Sequence, residues 1–210
     1  HNVAPIQPPA VAVINPKRPD HEYPFIDLAG VGVAFKLVQA LQTRLGGLPS
    51  GQEKWLLDLV ALGTVCDVVT LVDENRANVY WGLKVLAKAH RPGLKALMVV
   101  AGVEPSKVNA RSLGFALGPR MNASGRLETA QHALDMLRAA DGITALDLAQ
   151  QLDVLNTSRR SQQDVIVKEA TLQAEDRVHR PGQTREVHVH YLLSENSLDE
   201  QMWGLIGQKA

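Results

Sequence analysis

The sequence predicts a helix-rich α/β chain. Three observations carry this. Apolar residues recur at helical spacing in segments punctuated by Gly and Pro between residues 27 and 101. No Gly or Pro occurs from Ile143 to about Ala170. Strand texture is confined to two short runs, Ala10 to Ile14 and Val187 to Leu193. With 210 residues, 45% of them hydrophobic and 21% charged, the chain has material for a core and the length of one domain, or one and a fraction.

The elements follow in order. Ala10-Val11-Ala12-Val13-Ile14, closed by Asn15-Pro16, reads as a buried strand ending in a turn, and Lys17 to Pro24, with mixed charges and two prolines, as a loop. Asp27 is an N-cap candidate for a buried helix that puts Leu28, Val31, Phe35 and Val38 on one face. Gly46-Gly47 and Pro49-Ser50-Gly51 break that helix, and Trp55 to Leu62 starts another, apolar on most sides. Asn75 to Ala89 and Pro92 to Ala101 repeat the pattern. From Ile143 the stripe Leu146, Ala149, Leu152, Leu155 gives way to polar Ser158 to Gln163, the texture of a long helix that bridges two bodies. Val187 to Leu193 alternates as a strand, and Leu198 to Ile206 reads as a closing helix capped by Asn196 or Ser197.

Lys and Arg number 22, as do Asp and Glu, so the net charge is zero. Neutrality excludes a basic nucleic-acid coat protein but leaves room for a local basic site. The single cysteine, Cys66, excludes an intrachain disulfide framework and a cysteine-based zinc site, and fits a reducing compartment. No run approaches the roughly 18 apolar residues of a membrane span. The first residue is His1 rather than Met, as expected of a chain that begins inside a longer protein.

Three groups of residues stand out chemically. Asp67 is a carboxylate inside the apolar segment Ala61 to Val69, where an unpartnered charge costs several kcal/mol. It reads either as a helix cap or ion-pair partner, or as a metal ligand. Gly118-Pro119-Arg120-Met121-Asn122-Ala123-Ser124-Gly125-Arg126 reads as a loop. It is either a phosphate clamp, in which small residues admit the ligand and arginine forks bind oxygen, or a connection whose arginines cap carbonyls. Arg177 and Arg180, three apart before Pro181-Gly182, have the spacing to present a guanidinium to a triphosphate, or simply to end a surface helix.

From His1 to about Ala170 the sequence resembles the RecJ-type single-strand-specific DNA exonucleases of the DHH phosphoesterase family. The match is carried by Ala12 to Pro16, Tyr23-Pro24-Phe25, Asp27 to Phe35, Asp58 to Val69 and Gly114 to Leu127. The resemblance implies the C-terminal part of a parallel-sheet phosphoesterase domain over residues 1–142, followed by a long connecting helix over 143–170. It implies hydrolysis of single-stranded DNA from the 5′ end, in DNA repair and recombination, with Mn²⁺ or Mg²⁺ activating water. His1 takes the place of the second histidine of the Asp-His-His signature and Asp67 that of the last metal-binding aspartate. These two are the catalytic candidates, with Asp67 the metal ligand, and Arg120, Asn122, Ser124 and Arg126 form the contact surface for the strand. The family's earlier motifs would precede His1, so the chain alone is expected to be weak or inactive and marginally stable. The implied location is the bacterial cytoplasm, at the nucleoid.

From about Thr171 to Ala210 the chain instead resembles the C-terminal end of the Swi/Snf-type ATP-dependent DNA translocases, especially the annealing-helicase branch. Gln173 to Gln183 matches the last helicase motif, and His190-Tyr191-Leu192, Leu198-Asp199 and Met202-Trp203-Gly204 continue the match. This resemblance implies a short αβα helicase-like tail over 171–210, with Arg180 as arginine finger and Gln173 and Arg177 as its nucleotide-side neighbours. ATP is the ligand, and the nucleus the location, only under this alternative. The sequence has no Gly-rich Lys-Ser/Thr loop to hold ATP and Mg²⁺. The expectation is a fused product of the two lineages, a nuclease fragment carrying a translocase remnant. A non-catalytic DNA-binding fragment is the remaining reading.

Overall fold

The structure, a computed structural model, describes residues 3, 8–20, 22–45 and 49–178, with side chains described as far as Gln173. The chain divides into two compact units, His1–Arg160 and Ser161–Ala210. The helices are α1 (Gly30–Leu45), α2 (Leu57–Cys66), α3 (Asp73–Leu86), α4 (Pro92–Val100), α5 (Ala110–Ser112), α6 (Gly118–Leu127), α7 (Gln131–Arg138) and α8 (Gly142–Val178). A 3-10 turn, Gln52–Leu56, leads into α2, and a π-helical turn, Leu113–Leu117, joins α5 to α6. In the second unit the described residues are helical, and Val165, Ile166 and Leu172 are exposed.

The first unit is helix packed on helix. Leu97, Met98, Leu113, Leu117, Met136 and Leu152 are fully buried and form the core with Ala145 and Ala149. Two glycines set the closest approaches. A Cβ on Gly82 would overlap the Leu57 carbonyl, and one on Gly93 would overlap the Met136 carbonyl, so α3 meets α2, and α4 meets α7, at backbone distance. Pro92 begins α4, where its missing N–H costs nothing. Asp141 Oδ1 accepts the Ile143 and Thr144 N–H groups at 3.0 and 2.9 Å and so starts α8, and those bonds hold its carboxyl below the usual range.

Several expectations change. Among the described residues there is no strand, so the strand expected over Ala10 to Ile14 and the parallel sheet are not formed there. Val11 and Ile14 stand exposed, and the Val13 carbonyl, which a sheet neighbour would take, accepts from Arg18 at 3.0 Å instead. The turn at Asn15-Pro16 is present, closed by Arg18 N–H on the Asn15 carbonyl. Asp27 does not cap α1, because the helix begins three residues later and the Asp27 carbonyl is held by Asn75. On α8 the buried face is Ala145, Ala149, Leu152 and Asn156, with Leu146 turned outward; alanines at the contact let the helix lie close. The stretch from Gly118 to Arg126 is helix α6 rather than a loop, since Pro119 falls in the first turn, where proline is tolerated. The strand and closing helix expected after residue 186 lie outside the described residues.

Candidate functional site

The site begins where α2 ends. Asp67 N–H bonds the Gly63 carbonyl at 3.0 Å as the helix cap, and Val68 then adopts φ 55°, a left-handed conformation that a β-branched residue rarely takes. At that reversal the Asp67 side chain is exposed rather than buried in the apolar segment. The buried carboxylate of this region is Asp58, one helix length earlier. Its side chain is 6% exposed, its Oδ2 accepts from Arg91 Nε at 3.2 Å, and its Oδ1 accepts the Leu59 N–H. The ion pair weighed for Asp67 therefore belongs to Asp58.

The Asp67 turn is fixed from behind by Asn75, which is fully buried at the start of α3. Its amide donates to the Asp27 carbonyl at 2.8 Å and the Thr70 carbonyl at 3.1 Å and accepts the Ala29 N–H at 3.1 Å. One side chain thus ties the chain before α1 to the chain after Asp67. Sequence reasoning saw Asn75 only as the start of a helix. The signal available was a polar residue on the inward side of an amphipathic pattern, which does not reveal its partners.

Helix α6 reaches this place through Gly118. A Cβ there would overlap Cys66 Sγ, so only glycine lets the first turn of α6 rest on the last turn of α2, one residue from Asp67. Along α6 the four predicted strand-contact residues separate by helical period. Arg120 and Ser124 face inward: Arg120 Nε donates to Asp153 Oδ1 on α8 and its terminal nitrogen to the Ala116 carbonyl, both at 2.8 Å, while buried Ser124 donates to the Met121 carbonyl at 2.9 Å. Asn122 and Arg126, also four apart, are exposed on the other side. At 1.5 Å per residue Arg126 lies about 12 Å along the helix from Gly118, too far to share one ligand atom with Asp67.

The remaining candidates are not gathered there. His1 and Arg180 lie outside the described residues, Gln173 is exposed on α8, and Arg177 belongs to α8 with its side chain outside the description. Among the described residues no three His, Cys, Asp or Glu converge in a way that could hold a metal ion, and Asp67 supplies a single carboxylate. A hard divalent cation takes about six oxygen ligands, so these residues alone do not build its centre. The Cys66 thiol is pushed up by its burial and then by the neighbouring Asp67 charge, which keeps it protonated and unreactive.

No family model matches the chain. Among curated proteins it is 43% identical over 170 residues to the single-stranded-DNA-specific exonuclease RecJ of Bacillus subtilis, covering 81% of this chain and 21% of that protein. With RecJ of Dickeya dadantii the identity is 45% over 162 residues, covering 73% of this chain and 28% of that protein. A solved RecJ of Thermus thermophilus in complex with Mn²⁺ superposes with a TM-score of 0.72 at 32% identity, covering 85% of this chain and 26% of that one. Over some four-fifths of its length this chain resembles RecJ. The chain spans roughly a fifth to a third of the length of the curated RecJ proteins it matches. A RecJ crystal structure bound to manganese agrees, with a TM-score of 0.71 at 33% identity over 82% of this chain and 43% of that one. A stretch of 38 residues is 53% identical to the human DNA annealing helicase and endonuclease ZRANB3, covering 18% of this chain and 4% of that protein.

Proposed function

We propose that the chain contributes part of a RecJ-type exonuclease, which removes nucleotides from the 5′ end of single-stranded DNA in DNA repair and recombination, with Mn²⁺ or Mg²⁺ as cofactor. The observation that carries this reading is the match at 43% identity over 170 residues, supported by a structural superposition that covers 85% of the chain. In this reading residues 1–142 are part of a phosphoesterase core. Residues 143–170 are the connecting helix, and residues 171–210 are a helicase-like tail from a second lineage. The setting is the bacterial cytoplasm.

Within the site, Asn122 and Arg126 present amide and guanidinium donors to successive phosphates, and Arg120 and Ser124 hold the helix that carries them. Asp67 and His1 are the groups facing the metal edge. Asp67 is suited to that task by exposure at a rigid turn, braced by Asn75 and Gly118, and by a strained neighbour at Val68 of the kind that gathers at functional sites.

The test is binding and turnover of a 5′-labelled oligonucleotide by the 210-residue chain. We expect preference for the single strand over the duplex, a steep fall in affinity with salt, and weak Mn²⁺-dependent nucleotide release that Asp67→Ala abolishes. Equal release by both proteins removes Asp67 from the mechanism. Equal affinity for duplex and single strand overturns the substrate assignment.

A further inference from the structure

The chain has few aromatic residues, three each of Phe, Tyr and Trp. Three of these nine are nevertheless exposed together on a face remote in sequence from α6. Trp55 is 40% exposed, Tyr80 54% and Trp81 55%. Tyr80 and Trp81 meet edge to face with centroids 5.2 Å apart, and Lys84, one turn along α3, sets its ammonium over both rings at 4.3 and 4.5 Å. One turn further, Lys88 lies over Trp55 at 4.9 Å, and Trp55 stacks on His90 with centroids 5.1 Å apart. The two groups, Tyr80–Trp81–Lys84 and Lys88–Trp55–His90, follow one another within one helical turn of sequence, from Lys84 to Lys88. The acidic residues of α3, Asp73 and Glu74, are confined to its first turn, and Glu74 is held by Tyr23 and Lys36. Of the acids near Trp55 in sequence, Asp58 is buried against Arg91 and Glu53 turns one carboxylate oxygen inside.

Large rings exposed on a stable helix are costly in water unless something covers them. An apolar protein surface would cover the rings and strand the two ammonium groups. A single nucleic-acid strand suits both: its bases stack on aromatic faces, and its phosphates accept from the cations that the bases displace. From Tyr80 to Lys88 the strip is about 12 Å long, enough for two or three nucleotides.

We propose that Trp55, Tyr80, Trp81, Lys84 and Lys88 form a stacking strip that binds single-stranded DNA away from the Asp67 turn, as a second contact on the strand. The proposal rests on the single-stranded-DNA reading of the site and adds a binding surface to it.

The experiment uses the 210-residue chain in a Trp203→Phe background, which leaves Trp55 and Trp81 as its fluorophores. Titration with a twelve-nucleotide oligo-dT is followed both by tryptophan quenching and by anisotropy of a labelled oligonucleotide. We expect quenching on binding, a five- to hundredfold (~) loss of affinity in Trp81→Ala, a smaller loss in Lys84→Gln, and near-complete rescue by Trp81→Phe, with thermal melts unchanged. Unquenched binding, or affinity as high as the parent's in both Trp81→Ala and Tyr80→Ala, overturns the strip while leaving the site reading intact. Failure of the unmutated chain to bind oligo-dT overturns the site reading together with the strip. Quenching by poly-glutamate as strong as that by oligo-dT overturns the nucleic-acid assignment in favour of an acidic protein segment.

Discussion

Arg120 is held by Asp153, its Nε donating to Oδ1 at 2.8 Å across the contact between α6 and α8. One of the two guanidinium groups expected to contact the strand is spent inside the protein, 14% exposed, while Arg126 on the other side of the same helix faces solvent. Replacing the two arginines therefore separates stability from binding. Arg120→Ala is expected to lower stability by about 1–2 kcal/mol in urea titration, the scale of a charge-assisted hydrogen bond that is partly screened. Arg126→Ala is expected to leave the melt within the roughly 0.5 kcal/mol scatter of surface substitutions, and to reduce the salt slope of single-strand binding by about one. Equal melts for the two variants would contradict the division of α6 into a holding and a presenting face.

The Asp58–Arg91 pair joins α2 to the residue that precedes α4. Arg91→Met leaves the Asp58 carboxylate buried and alone and is expected to cost about 3 kcal/mol. The double variant Asp58→Leu/Arg91→Met is expected to recover most of that loss, because no charge is left uncompensated. Denaturant midpoints of the three proteins at neutral pH make the comparison. A double variant as unstable as the single one would show that the pair acts through packing rather than charge.

Cys66 reports on Asp67. Burial raises the thiol first, and the Asp67 carboxylate raises it further. Asp67→Asn removes the second cause, lowers the thiol towards its ordinary range and increases the thiolate fraction. Alkylation by iodoacetamide at pH 8 is expected to be slow in the unmodified chain and faster in Asp67→Asn. Identical rates would place the carboxylate farther from Cys66 than the cap geometry does.

Tyr23, Lys36 and Glu74 form a cluster beside a surface cavity of about 390 Å³, lined in part by Ile14, Asn15, Arg18 and Tyr23. Tyr23 donates to Glu74 at 2.7 Å and Lys36 pairs with the same carboxylate at 3.1 Å. Burial, then the hydrogen bond to Glu74, raises the Tyr23 hydroxyl above its ordinary value of 10.0. For Lys36, burial works downward, but the hydrogen bonds with Glu74 and Tyr23 outweigh it, and the ammonium is raised above 10.5. In both cases the folded chain holds its proton more tightly than the unfolded one. Their contribution is therefore complete below about pH 10 and is lost as pH rises through the raised values. Melting temperature is expected to fall more steeply above pH 10 in the parent than in Tyr23→Phe, and parallel curves would refute the coupling.

The helices were largely legible because their causes are local. The apolar period of α1 to α4, Pro92 at the start of α4, and the uninterrupted run of α8 are all written within a few turns of sequence. Asp67 and the Gly118 to Arg126 segment were likewise recognisable as unusual residues in unusual places. Their burial was not, because a carboxylate among apolar neighbours looks the same whether the chain continues straight or reverses, and at Val68 it reverses.

Residue types and spacing alone determined the helical content, the lone thiol, and the resemblance of some four-fifths of the chain to RecJ. Tertiary structure decided which charges are used up and which are presented. Arg120 goes to Asp153 and Asp58 to Arg91, Asn75 reaches back to the Asp27 carbonyl and the Ala29 N–H, and Asp67 and Arg126 are left facing water. The physical reason is that a polar side chain is satisfied by whatever the fold brings within about 3 Å, and those partners lie 33 to 48 residues away along the chain.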